Sequence, residues 1–194
     1  MKSAFSTVAF LAVILSGQPA SKGFGDDKTI WLDAPVKKQW DHAGRPVPHV
    51  PRGAGVDAEC MKYRHRAETG EERMVEKAGW FLMDKATVHN GIVVVTGQAS
   101  NAGMCRSAQY QEFAFVDGAF AGTLSPVLMN ARSDGSTANV SVPGDGRIVA
   151  DFSRYSERDP LCCPSRISTV EYEIIRADGK PLVVLKSIRT HRTN

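Results

Sequence analysis

The chain has 194 residues, with 24 basic and 21 acidic side chains, a net charge of +3 and 42% hydrophobic residues. That length suits one domain with a core of respectable size. Charges of both signs are interspersed, which excludes a nucleic-acid footprint, and the short basic run from Lys186 to Arg192 reads as a solvated terminus.

Lys2 gives a positive start, residues 5–15 form an apolar run broken only by Ser6 and Thr7, and small and turn-forming residues follow from Ser16 to Ser21. This is the layout of a secretory signal peptide over residues 1–20, and its apolar core is too short for a permanent span of roughly 20 residues. Leu15-Ser16-Gly17 has the form of a lipoprotein box, but Gln18 stands where the lipid-bearing cysteine is required, so no lipid anchor is expected. No later segment is apolar enough to cross a membrane as a helix. Residues 21–55 are punctuated by glycine and proline, which excludes regular helix over most of the stretch and predicts an extended arm. Trp31 and Trp40 are expected to dock this arm on the surface of a single α+β domain over residues 56–190.

Thr69-Gly70-Glu71-Glu72 reads as a capping box, which predicts one short helix ending near Ala78, with Gly79 as its left-handed stop. After Trp80 the punctuation becomes hairpin chemistry. Asn90-Gly91, Asp117-Gly118, Gly144-Asp145-Gly146 and Asp178-Gly179 separate apolar runs such as Ile92-Val93-Val94-Val95 and Phe113-Ala114-Phe115-Val116. Asn-Gly and Asp-Gly supply the positive φ angles of tight antiparallel turns, so a meander forming a curved antiparallel sheet is expected. Val170, Tyr172 and Ile174 alternate with Glu171 and Glu173, which leaves one face of that strand wet.

The four cysteines are Cys60, Cys105, Cys162 and Cys163. In an exported chain they are expected to form two disulfides. A bond between neighbours is awkward, because adjacent Cα atoms lie about 3.8 Å apart and the usual disulfide range begins at about 4.4 Å. Pro164 biases Cys163 toward extended backbone, where adjacent side chains point to opposite faces. The favoured connectivity therefore joins Cys60 and Cys105 each to one member of the pair; the alternative joins Cys60 to Cys105 and leaves a vicinal bond. A second function class treats Cys162-Cys163 as a thiol-disulfide or metal site. Against it, the pair lacks the Cys-x-x-Cys spacing at a helix start, and His65 and His89 have no spacing that preorganises a metal site.

No catalytic constellation emerges. Ser125 in Gly122-Thr123-Leu124-Ser125-Pro126 departs from the Gly-x-Ser-x-Gly elbow, and it reads as a strand end. His42, His49, His65, His89 and His191 are scattered. Asp134 and Asp159 each adjoin a turn and an arginine, which points to turn capping and local ion pairing. Phosphate loops are absent, and Asn139-Val140-Ser141 matches a glycosylation sequon. No cofactor is expected.

The run from Phe115 to Pro126, followed by Met129, Arg132-Ser133-Asp134-Gly135, Phe152-Ser153-Arg154-Tyr155 and Asp159-Pro160-Leu161-Cys162-Cys163-Pro164-Ser165, resembles the LppP/LprE lipoprotein family over residues 109–174. The resemblance implies a bacterial envelope protein outside the cytoplasm and carries no activity to any one residue. The combined expectation is a periplasmic or secreted, disulfide-stapled α+β module that binds an envelope protein or a small ligand and is not an enzyme.

Overall fold

Asn90-Gly91, Asp117-Gly118 and Asp178-Gly179 each adopt positive φ at both residues (46° and 76°, 49° and 78°, 50° and 74°). This is the tight turn whose twist matches antiparallel strands. In the computed structural model, which describes residues 30–34, 37–160 and 162–193, these turns join β1 (Thr87–His89) to β2 (Ile92–Ala102), β3 (Arg106–Val116) to β4 (Ala119–Thr123), and β8 (Arg166–Ala177) to β9 (Lys180–Arg192). The expected leader, with Gln18, and the first part of the arm lie outside the described residues.

The strands form two antiparallel sheets where one was expected. The first runs β1-β2-β3-β4, with β5 (Met129–Asn130) also pairing β3; the second runs β6 (Ser136–Ser141), β7 (Arg147–Arg154), β8, β9. Side-chain alternation explains the layering. Ile92 and Val94 of β2 and Ala114 of β3 join Ile148, Phe152, Val170, Tyr172 and Leu185 of the second sheet in one core. Val93, Val95, Phe113 and Phe115 point the other way, onto Val75, Trp80 and Leu82. The first sheet is thus buried on both faces, which is why β2 opens as an unbroken apolar run. The second is an outer layer, with Val170 and Tyr172 buried and Glu173 exposed.

The short helix α1 (Gly70–Lys77) covers the outer face of the first sheet, and its capping box forms as expected. Glu72 N–H donates to the Thr69 hydroxyl, and Thr69 N–H donates back to the Glu72 carboxylate. Where Trp80 crosses β2, a Cβ at Gly97 would lie 2.8 Å from the Phe113 ring and 2.9 Å from the Trp80 Cβ. Only glycine permits that approach.

Part of the described arm, at Trp31, Leu32 and Asp41, is buried in the domain, while residues 42–55 are exposed or half-buried. Trp31 is 4% exposed, donates to the Met129 sulfur at 3.1 Å and packs edge-on against Trp40 and Phe152. Asp33 forks onto the buried Arg154 guanidinium, one bond of the pair measuring 2.7 Å. Leu185 N–H donates to the Lys38 carbonyl at 2.7 Å. Asp41, also buried, accepts from Thr123 N–H and the Thr123 hydroxyl at 2.7 and 2.9 Å. Indole rings next to two carboxylates with distant partners make this segment a structural element despite its lack of helix or strand.

Candidate functional site

Beyond the sandwich, β2 and β3 overrun their neighbours and end in a 3-10 turn, Gly103–Cys105. A disulfide from Cys105 to Cys60, with Cα atoms 5.3 Å apart, ties this overhang to the 3-10 helix Ala58–Tyr63. Asn101 reinforces the tie, accepting from Asp57 N–H at 2.8 Å. The overhang borders an open cavity of about 710 Å³, whose lining also includes Met83, Asp84, Asn130 to Arg132 and Tyr155. That volume falls in the small-molecule range of about 300–1,000 Å³.

Gln98 lines this cavity and is 3% exposed. Its Nε2 donates to the Ser107 hydroxyl, and its Oε1 is buried with no hydrogen-bond partner among the described residues. Turning the amide over would let Ser107 donate to Oε1 and would leave Nε2 unpaired instead. Either orientation strands one polar end. A buried polar group without a partner costs about 1–3 kcal/mol. On the same wall the exposed Arg106 has no hydrogen-bond or ion-pair partner among the described residues. Also in the lining, the Arg132 guanidinium lies 3.9 Å from the centre of the Tyr155 ring, a cation–π stack.

A smaller cavity of about 240 Å³ shares Asp84, Ser107 and Ser136 with the first. Two of its lining threonines, Thr137 and Thr96, donate to the two oxygens of the buried Glu112 at 2.6 and 2.8 Å. Burial pushes the Glu112 carboxyl upward, the two hydroxyls pull it down, and the charge of Asp84 adds to the rise. Tyr110 and Tyr172 lie on the same inter-sheet face, and burial raises both phenols above their ordinary range. Their hydroxyls donate to the carbonyls of Gly135 and Leu124 respectively.

The cysteines pair differently from the favoured expectation. Cys60 bonds Cys105, and Cys162 bonds Cys163, whose Cα atoms are 3.8 Å apart. The assumption of an extended segment is what fails. Cys163 N–H donates to the Pro160 carbonyl at 3.1 Å, so the pair sits in a turn, where adjacent side chains can converge. Both residues are exposed in the loop between β7 and β8. Asp159 closes the neck of that loop, accepting from Ser156 N–H at 2.7 Å and Ser165 N–H at 2.9 Å. Chiefly through the first of these bonds, its carboxyl is held below the usual range.

The other residues singled out from sequence do not converge. Ser125 is buried and donates to Gln111 at 2.8 Å. Asp134 accepts from Asn130 N–H at 2.8 Å. His65 lies 3.0 Å from Glu72 and serves the helix cap. Among the described residues no group of three or more His, Cys, Asp or Glu side chains is placed to hold a metal ion. Of the residues that line or approach the cleft, Glu112 carried a readable signal as a carboxylate between Tyr110 and Phe113. Gln98 and Arg106 carried none, because their roles depend on segments distant in sequence.

One recognised family covers this ground. Residues 87–175 match the LppP/LprE lipoprotein family. The match runs from β1 into β8, so it takes in Gln98, Arg106, Glu112, Arg132, Tyr155 and the Cys162-Cys163 loop, while the arm, Cys60 and β9 fall outside it. The family description points to association with the cell envelope. Within LppP/LprE-like residues, therefore, lie most of the two sheets' shared core and most of the cleft wall. No curated protein and no solved structure matches the chain. No helix among the described residues is long and apolar enough to cross a membrane.

Proposed function

We propose that this protein is an exported module of the bacterial envelope that binds a small ligand in the cleft beneath the β2–β3 overhang and does not transform it. The observation carrying this reading is the open cavity of about 710 Å³ itself, with Gln98, Arg106, Arg132 and Tyr155 in its lining. Support for a non-catalytic role comes from the candidate acids and nucleophiles: Ser125, Asp134, Asp159 and His65 are each engaged in a structural hydrogen bond. The leader layout over residues 1–20 supports the exported part of this reading. Native mass spectrometry of the full chain, recovered from the envelope fraction of an exporting host, tests the reading. A bound small-molecule mass is expected, reduced in Gln98→Leu. Ligand-free protein whose melting temperature does not change in envelope small-molecule extract would refute it.

A second reading, thiol–disulfide exchange at Cys162-Cys163, is favoured by the exposure of that bonded pair. It predicts that a protein dithiol reduces this bond while Cys60–Cys105 stays oxidised, measured by differential alkylation. Equal reduction of both bonds would remove the support.

A further inference from the structure

The binding role just proposed leaves the ligand's chemistry open, and we infer that the cleft takes an anionic amphiphile, a small molecule with an apolar body and a carboxylate or phosphate group. The inference rests on that binding role. Arg106 and Arg132 face Asp84 as the charged members of the lining, so two guanidiniums outnumber one carboxylate. Arg106, with no partner among the described residues, keeps its fork of donors available for an oxyanion, the group that a guanidinium binds through two parallel hydrogen bonds. Arg132 is anchored over Tyr155, which fixes a second positive charge in the lining.

Between these charges the walls are apolar. The Tyr155 ring, Met83, Ala108 and Ala131 line the cavity, and Met104, 79% exposed, stands at the turn that forms its lip. Such a lining favours an apolar body. A cation has no complement here besides Asp84, which is shared with the smaller cavity.

The probes are 11-(dansylamino)undecanoic acid and its methyl ester, titrated by dansyl fluorescence against the full chain, Arg106→Ala, Gln98→Leu and Arg158→Ala, the last lining a different cavity. The acid is expected to bind more tightly than the ester. Arg106→Ala should weaken the acid about tenfold or more, as for loss of a charged hydrogen bond, and leave the ester unchanged. Added salt should weaken the acid alone, and Arg158→Ala should change neither. Equal affinity for acid and ester, with both weakened by Gln98→Leu, would overturn anion recognition while preserving the cleft as a binding site. Binding of neither probe would overturn the amphiphile inference, and native mass spectrometry would still decide the binding role separately.

Discussion

Replacing Glu72 with Gln isolates one carboxylate on which the helix and its surroundings depend. Glu72 is 1% exposed. One oxygen accepts from Glu68 N–H at 2.7 Å and Thr69 N–H at 2.8 Å, and the other accepts from Ala86 N–H at 3.0 Å and faces His65. Burial acts to raise its pKa, but the donors of Thr69, Ala86 and Glu68, with the charge of His65, outweigh it and lower the carboxyl from 4.5 to about 2. A folded value below the unfolded one means that the unfolded chain binds the extra proton. This contribution to stability is therefore complete above about pH 4.5 and is lost as the pH falls toward about 2. At about 1.36 kcal/mol per pKa unit the full contribution is about 3 kcal/mol, of which about 2 kcal/mol is gone by about pH 3. Glu72→Gln keeps the volume but offers an N–H₂ where two backbone donors point. Urea denaturation should find it about 2–3 kcal/mol less stable than the parent at neutral pH, with the gap narrowing to about 1 kcal/mol near pH 3. Asp33, Asp145 and Asp159, whose pKa values are also lowered, act in both proteins and cancel in the difference. A gap of equal size at both pH values would refute the reasoning.

The two disulfides should separate sharply under the same assay. Cys60–Cys105 spans a sequence separation of 45, so replacing both residues with Ser should cost about 4 kcal/mol in the chain-entropy model; replacing Cys162 and Cys163, which close no long loop, should cost less than about 1 kcal/mol. Trp31→Ala should lose about 3–5 kcal/mol in denaturant titration, as for an aromatic deleted from a core, whereas a surface-docked ring would cost far less. Glu112→Gln should gain on the parent as the pH rises past 4.5, since the raised carboxyl makes the folded state of the parent hold its proton more tightly. A pH series of melting temperatures checks the sign, and parallel curves would contradict it.

What was legible in the sequence was local. Asn90-Gly91, Asp117-Gly118 and Asp178-Gly179 announce their turns because the required φ angles belong to those residues alone, and Thr69 to Glu72 carries its whole cap within four positions. The division into two sheets was not legible, since nothing near Met129 or Ser136 states that β5 pairs back onto β3 while β6 begins a new layer. Proline and glycine in the arm correctly exclude helix, yet they do not show that Trp31 meets Met129 and Phe152. The cysteine connectivity turned on whether Cys162-Cys163 lay in strand or turn, and Pro164 fixes only the backbone preference of its predecessor. Half of the cleft was hidden for the same reason: Arg106 and Tyr155 become neighbours of one cavity only after both sheets are assembled.

The arm's anchoring has a consequence for the order of events during synthesis. Trp31 is bonded 98 positions away and Asp33 is paired 121 positions away, so the segment emerging early from the ribosome cannot settle until most of the polypeptide has followed. Such distant closures slow folding. A shortened version beginning at residue 56 would lose this late closure and leave Arg154 facing an open furrow with its counter-charge missing.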